Sequence, residues 1–555
     1  MTPDVLREGP MVASKTDIAT AVRDGYAFDG PCVELGALVV DGTPRAEAKV
    51  RVPLAMLNRH GLVAGATGTG KTKTLQLMTE QLSTAGVPVF AADIKGDLTG
   101  LATPGEAGEK VSSRARGVGQ DWMPKAYPVE LLRLGEAGTG VPVRATVTSF
   151  GPTLLSKVLQ LNDTQESSLG LVFHYADKAG LPLLDLKDLR AVIQHLTSDE
   201  GKADLQELGG LAKPTAGVIL RELINFAESG ADSFFGEPEF DVTDLMRSTD
   251  DGRGVVTLLE LPGVQDRPVL FSTFLMWLLA ELFEVLPEVG DVDKPKLVFF
   301  FDEAHLLFTD ASRDFTDALI QTVRLIRSKG VGVFFVTQTP KDVHEDVLAQ
   351  LGSRIQHQLR GFTPDDAAAL KATVRTYPTS PYDLEELLTT VGIGEAVVTV
   401  MSEQGAPTPV AHTLLPAPQS LMAPSSAEIL SAIVAASPLT RLYAEAVDRE
   451  SASERLTGKI AAGPGDALAP RPADGMTEEQ RLEAEILGGP PTPTLPPPEP
   501  ARDRSRSRTR SVPSEGGGLV EQVLGSSAFE GFLKSAGATL AREISRGVFG
   551  NRRRR

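Results

Sequence analysis

The 555-residue chain is 41% hydrophobic and carries 55 Lys plus Arg against 73 Asp plus Glu, a net charge of −18. Such a length buries a large core in several domain-sized blocks, which excludes a short peptide or a wholly disordered chain, and the acidic balance excludes a polycation that coats nucleic acid uniformly. One cysteine, Cys32, cannot form an internal disulfide, so a disulfide-stapled secreted scaffold is excluded and a reducing compartment is suited.

Asp4 and Glu8 precede any long apolar run, which is not the layout of an export signal. The run from Val269 to Ala280 is followed at once by Glu281 and Glu284, too short and too charged to cross a bilayer. A cytoplasmic location is the expectation. Residues 1–55 read as a short N-terminal β extension, with PCVELGALVV and AKVRV separated by the turn DGTP. Residues 56–163 read as the first half of an α/β core. There RHGLVAGATGTGKT leads from a strand through a glycine-rich loop into a helix with Leu75, Met78 and Leu82 on one face, and VPVFAAD follows as a strand buried on both sides.

Over 164–250 the pattern turns helical, as in DLKDLRAVIQHL and GVILRELINFAES, and predicts an all-helical insertion. Over 251–420 the strand-like runs GVVTLLEL, KLVFFFD and GVGVFFVTQ alternate with helical segments near 267–287 and 311–328, the pattern of a parallel sheet and of the second half of the core. SRIQHQLRG, GEAVVTVMS and VAHTLL add further strands. Residues 421–450 read as a helical segment. The stretch 451–516 reads as a disordered Pro- and Arg-rich linker, too poor in apolar residues to offset ordering entropy. Residues 517–555 read as an amphipathic helix with a basic end, because Val520, Leu524, Ala528, Phe532, Ala536, Leu540, Ile544 and Val548 recur every fourth position.

Gly65, Ala66, Thr67, Gly68, Thr69, Gly70, Lys71 and Thr72 match the phosphate-binding pattern G-x-x-x-x-G-K-[ST], between a strand and a helix as the physics requires. Glycines let consecutive backbone N–H groups wrap an anion at a helix N-terminus. Lys71 then adds charge toward the β and γ phosphates of ATP, and Thr72 presents its hydroxyl to Mg²⁺. A continuous apolar strand, Leu297 to Phe301, ends in Asp302 and Glu303, a costly place for charge without a cation or reactive water. Asp302 is assigned to Mg²⁺ and Glu303 to the base that deprotonates the attacking water.

Gln338 ends the next apolar strand at the same crevice, as a γ-phosphate sensor or as a polar residue bonded to backbone. Arg324 and Arg327 share a helix face, either as a solvated basic face or, for Arg327 first, as an arginine finger for a neighbouring subunit; Arg354 is a weaker candidate. Asp93 to Asp97 form a strand-ending turn at the crevice rim. The histidines lack zinc spacing and a lone cysteine cannot complete a thiolate site, so no structural metal is expected.

Together GATGTGKT, VPVFAADIKGDLTGL, KLVFFFDEAHLLF and RSKGVGVFFVTQTP resemble the HerA–FtsK superfamily of P-loop ATPases, and most closely its bacterial HerA-like, YjgR-type group, over residues 30–416; the tail LKSAGATLAREISRGVFGNRRRR is similar as well. The resemblance implies a RecA-like P-loop core with an additional central strand, a hexameric ring with ATP hydrolysed between subunits, and translocation or unwinding of double-stranded DNA. It gives Lys71 and Thr72 the Walker A roles, Asp302 the metal, Glu303 the base, Gln338 the sensor and Arg327 the finger. The N-terminal β region is much shorter than the barrel that caps many archaeal HerA translocases. The alternative is a P-loop ATPase that remodels a protein or a membrane-associated partner, docking through the basic C-terminal helix, since the arginines at 504, 506, 508 and 510 suit DNA and anionic lipid equally.

Overall fold

Residues 15–462 are described in this computed structural model, apart from 202, 205–209, 262–267, 291 and 309–312. The expected linker from 463 onward and the expected C-terminal helix lie outside the described residues. Among the described residues one sheet forms from β1 (Cys32–Val40), β2 (Thr43–Pro53), β3 (Gly61–Ala64), β4 (Val89–Asp93), β5 (Val129–Leu134), β6 (Val141–Val143), β7 (Val256–Glu260), β8 (Leu297–Phe301), β9 (Val331–Thr337), β10 (Ser353–Gln356), β11 (Glu395–Thr399) and β12 (Ala411–Leu414). Its strand order is β2-β1-β12-β11-β10-β3-β9-β8-β4-β7-β5-β6. Every neighbour pair from β10 to β6 is parallel, and every pair from β2 to β10 is antiparallel.

The central strands are apolar throughout because helices cover both faces, and their side chains divide with the two-residue period of a strand. Val298, Phe300, Phe334 and Val336 pack with Leu75, Met78 and Leu82 of the Lys71–Thr84 helix. Phe299, Phe301 and Phe335 face the other core, shared with the helices Asp163–Lys178, Leu186–Thr197, Lys213–Glu228 and Pro268–Val285. Phe300 and Phe334 lie 5.4 Å apart between ring centres, and Phe90 and Phe299 5.1 Å, so β4, β8 and β9 are locked by aromatic contact across the ladder. The order β10-β3-β9-β8-β4 sets β9 between the strand entering the glycine-rich loop and the strand ending in Asp302. That is the RecA-like P-loop arrangement, with the additional strand at the centre.

Several elements differ from the sequence reading. The β1–β2 hairpin is not a separate extension: β1 pairs with β12, Ala37 opposite Leu414, and so lengthens the main sheet. β5 and β6 were not anticipated, because Glu130 and Arg133 interrupt the apolar run of β5. Glu130 is nevertheless buried, its charge met by Arg247 Nη2 at 2.6 Å from 117 positions away. Helices begin before the expected insertion, at Val147–Val158.

The linker expected from 451 is corrected at its start, where Ala452–Ala462 is a helix. Composition suggested too little apolar surface, but Ala452 and Leu456 are buried in the core that includes Leu189 and Val192, and Ser453 N donates to Asp188 Oδ1 at 2.9 Å. No helix among the described residues is long and apolar enough to cross a membrane.

Candidate nucleotide site

Between the end of β3 and the helix Lys71–Thr84, the glycine-rich loop takes backbone angles that side chains resist. Gly65 has φ 157° and Gly70 φ 120°, and a Cβ on Gly65 would stand 2.5 Å from His357 Cβ. The loop is tied to both neighbouring strand ends: Gly65 N donates to Thr337 O at 3.2 Å and Ala66 N to Gln358 O at 2.8 Å. Thr69 Oγ1 donates to Ala66 O at 2.7 Å. Lys71 Nζ donates to Gly65 O at 2.7 Å and Ala66 O at 3.3 Å, so its ammonium is folded back over the loop. Burial lowers the Lys71 pKa, opposed by the carboxylates of Glu303 and Asp302, which are near enough to act on it. Thr72 follows in the first helical turn, half-buried.

Asp302 and Glu303 stand just past β8, two strands from the loop, 5% and 6% exposed. With neighbouring strands roughly 4.8 Å apart, about 10 Å separates the β3 and β8 ends, a span that a triphosphate fills. Burial and then the charge of Glu303 hold the Asp302 carboxyl above the usual range. Glu303 sits in the left-handed region at φ 48°, its N–H donating to Asp302 Oδ1 at 2.9 Å. Its Oε1 is 2.5 Å from Lys95 Nζ. Its Oε2 is buried, 3.4 Å from His305 Nδ1, with no hydrogen-bond partner among the described residues. Burial pushes the Glu303 carboxyl up, but the Lys95 hydrogen bond and charge, with the charges of His305 and Lys71, bring it below its ordinary value.

Asp93 ends β4 beside this pair, and its carboxylate accepts from Gly96 N at 2.8 Å and Leu98 N at 2.9 Å, as a strand-ending turn requires. Burial pushes its pKa up to about 6, with a contribution from Asp302. Gln338, one residue past β9, is exposed and lines an open cleft of about 570 Å³ with His305, Phe308 and Thr339. The turn behind it is pinned by Asp342, which accepts from Thr337 Oγ1 and from Thr339 N and Oγ1, each at 2.9 Å.

The structure thus brings together Gly65–Thr72, Asp302, Glu303 and Gln338. It does not bring Arg327 to them. Arg327 precedes the first residue of β9 whereas Gln338 follows its last, so the seven-residue strand, about 23 Å long, lies between them. Arg324 is exposed on the adjoining helix, and Arg354 is tied to Thr376.

Three residues at the site were not assigned a role from sequence. Lys95 lay in a turn that looked merely structural. His357, buried after β10, donates from Nδ1 to Glu395 O and accepts at Nε2 from Thr74 Oγ1, both at 2.8 Å, because a carbonyl can only accept. Burial, with the Lys71 charge adding to it, lowers its pKa to about 4, so it is neutral. Arg360 donates from Nη2 to Thr67 O at 3.3 Å. The glycine-rich loop and the strand ending in Asp302 and Glu303 announced themselves by local pattern; these three act from other strand ends.

The donor set fits Mg²⁺. Asp302 and Thr72 are hard oxygen donors, and no group of three or more His, Cys, Asp or Glu side chains among the described residues would hold a metal alone. Mg²⁺ commonly takes one or two protein oxygens and completes its shell with phosphates and water.

The family described as Helicase HerA-like C-terminal matches residues 39–555. The DNA double-strand break repair helicase HerA of Sulfurisphaera tokodaii is 24% identical over 397 residues, 70% of this chain and 71% of that protein. Its namesake from Saccharolobus solfataricus is 21% identical over 375 residues, 67% of each. Among solved structures, the bacterial conjugative coupling protein TrwBdeltaN70 has a TM-score of 0.48 at 14% identity, covering 74% of this chain and 95% of that one. VirB4 of Thermoanaerobacter pseudethanolicus has a TM-score of 0.44 at 16% identity, covering 70% and 97%.

Proposed function

Since the chain belongs to the helicase HerA-like C-terminal family, we propose that it is a Mg²⁺-dependent ATPase whose turnover drives movement along double-stranded DNA, working as a hexameric ring. The observation that carries the ATPase reading is the meeting of Lys71, Asp302 and Glu303 at the ends of β3 and β8, with a buried Glu303 oxygen that has no hydrogen-bond partner among the described residues.

On this reading Lys71 leaves the carbonyls of Gly65 and Ala66 for the β and γ phosphates, whose charge outcompetes two neutral acceptors. Asp302 and Thr72 hold Mg²⁺, which when bound offsets charge on the phosphate oxygens. Glu303 takes the proton of the attacking water at Oε2, while Lys95 fixes Oε1. Gln338, held by the Asp342 turn, orients that water or the γ phosphate. Arg327 is at the opposite ends of the strands, so it serves as a finger only toward a second subunit's site.

The support for DNA is the family and the naming of the two archaeal relatives as DNA repair helicases. The test is steady-state ATP hydrolysis with and without long double-stranded DNA, at low and high salt, with Glu303→Gln as control. DNA stimulation that fades with salt, as phosphate contacts do, supports the motor. Turnover that needs Glu303 but ignores DNA keeps the ATPase and removes the DNA reading in favour of a protein or membrane partner.

A further inference from the structure

The glycine-rich loop gives a bound nucleotide a direction. Asp302, Glu303 and Gln338, the groups that meet a γ phosphate, end β8 and β9 on one side of β3. The nucleoside end of the same ligand therefore emerges on the other side of β3, above β10 and β11. Two loops press against the glycine-rich loop there. The first follows β10 and is joined through Gln358 O to Ala66 N at 2.8 Å and through Arg360 Nη2 to Thr67 O at 3.3 Å. The second precedes β11, with Gly394 N donating to Thr69 O at 2.9 Å.

Each loop carries a large apolar side chain turned to solvent: Phe362, 84% exposed, and Ile393, 73% exposed, the highest values among large apolar side chains of the described residues. The Ile393 loop is tied down through its backbone. Arg114 donates from Nη1 to Gly394 O and from Nη2 to Ile393 O, both at 3.1 Å, and Leu415 N donates to Gly394 O at 3.0 Å. Phe362 directly precedes Thr363, the N-cap of the Pro364–Val374 helix, where an apolar residue often packs on the fourth helical position. That position is Ala367, itself exposed, and Phe362 stays uncovered. Apolar surface left in water beside a ligand site is what a planar, weakly polar ring would cover.

We propose that Phe362 and Ile393 form the platform for the nucleobase of ATP, with the guanidinium of Arg360 meeting the phosphate nearest the ribose. The proposal rests on the reading of Gly65–Thr72 as an ATP site. It assigns the base-recognising part of that site to loops that contribute nothing to the phosphate-binding pattern.

The test is direct binding of ATP and of inorganic tripolyphosphate to the full chain by titration calorimetry, with Phe362→Ala, Phe362→Trp, Ile393→Ala and Lys71→Ala. Stacked bases lose binding on the order of ten-fold or more when the ring is removed. Phe362→Ala should therefore weaken ATP by about that factor and leave tripolyphosphate as tight as before, Ile393→Ala should act in the same sense more weakly, and Phe362→Trp should restore ATP. Unchanged ATP affinity in Phe362→Ala, with Lys71→Ala losing ATP, overturns the platform and leaves the ATP site standing. Equal weakening of both ligands overturns it too, since the damage would then lie in the phosphate loop. Normal ATP binding by Lys71→Ala would instead remove the underlying site.

Discussion

Lys95 Nζ stands 2.5 Å from Oε1 of Glu303, joining the ends of the adjacent parallel strands β4 and β8. Glu303 is thus fixed twice, by this contact and by a left-handed backbone at φ 48° closed onto Asp302. Such a side chain has one oxygen committed and the other, Oε2, available for a proton. Lys95 is half in solvent, 46% exposed against 7% for its partner, so the carboxylate depends on the pair more than the ammonium does.

Lys95→Met should therefore act through Glu303. With the ammonium gone, burial is left as the main influence on that carboxyl, and its pKa rises. A base must be ionised to work, so the acid limb of the kcat profile should move to higher pH. The maximal rate should fall on the order of ten- to a hundred-fold, as misplacement of a reacting group does. Combining Lys95→Met with Glu303→Gln should cost little beyond Glu303→Gln alone. An unshifted acid limb would reject the assignment.

Glu303→Gln keeps the shape of the side chain and removes its basicity. Turnover should fall by roughly 10²- to 10⁴-fold, the usual contribution of a positioned base, while ATP still binds. Lys71→Ala should lose tight binding itself. The pair of variants separates binding from chemistry, and a Glu303→Gln enzyme with ordinary turnover would refute the role given to this carboxylate.

Local pattern revealed the phosphate loop, the strand ending in Asp302 and Glu303, and the alternation of strands and helices, because each is a matter of spacing within a few residues. What escaped was set by contacts between distant segments. β5 was hidden by Glu130, whose buried charge is matched only by Arg247. Ala452–Ala462 was read as linker because Ala452 and Leu456 find their partners in the 186–197 helix. Lys95 and His357 looked like an ordinary turn and an ordinary strand end until β4 met β8 and β10 met β3. Arg327 is the reverse case: its sequence position suggested a finger, but the sheet carries it away from the site of its own chain.

His357 supports the glycine-rich loop as a neutral ring between Thr74 Oγ1 and Glu395 O. Its folded pKa of about 4 lies below the unfolded value near 6.5, so the unfolded chain takes up a proton first as pH falls. Its stabilising effect is whole above pH ~6.5 and is lost as pH falls toward 4, about 2 kcal/mol of it by pH 5. His357→Asn should be less stable than the parent at pH 7.5, by about 1–3 kcal/mol for the lost bonds. The gap should shrink by about 2 kcal/mol at pH 5.0. Urea midpoints of both proteins at the two pH values measure this difference with other titrating groups cancelled. A gap independent of pH would mean that the ring takes up its proton in the fold as readily as in the unfolded chain.

Arg327 offers the sharpest test of assembly. It sits before β9, at the strand ends opposite the phosphate loop, beside His60, whose Nε2 donates to Val323 O at 2.8 Å and whose Nδ1 accepts from Val333 N at 3.0 Å. His60 thereby fastens the end of the Arg313–Ile326 helix, which Arg327 directly follows, to β3 and β9. From there it cannot meet the triphosphate of its own chain across about 23 Å of strand, but it can face a triphosphate bound by a neighbour. Arg327→Ala should leave ATP binding by single chains intact and lower turnover in the assembly by up to 10³-fold or more, as loss of a finger does. Mixing Arg327→Ala chains with Lys71→Ala chains should recover part of the rate, because some interfaces then pair an intact phosphate loop with an intact arginine. Mixed assemblies verified by mass that recover nothing would rule out action between subunits, and a rate lost equally in isolated monomers would assign Arg327 to its own chain's stability.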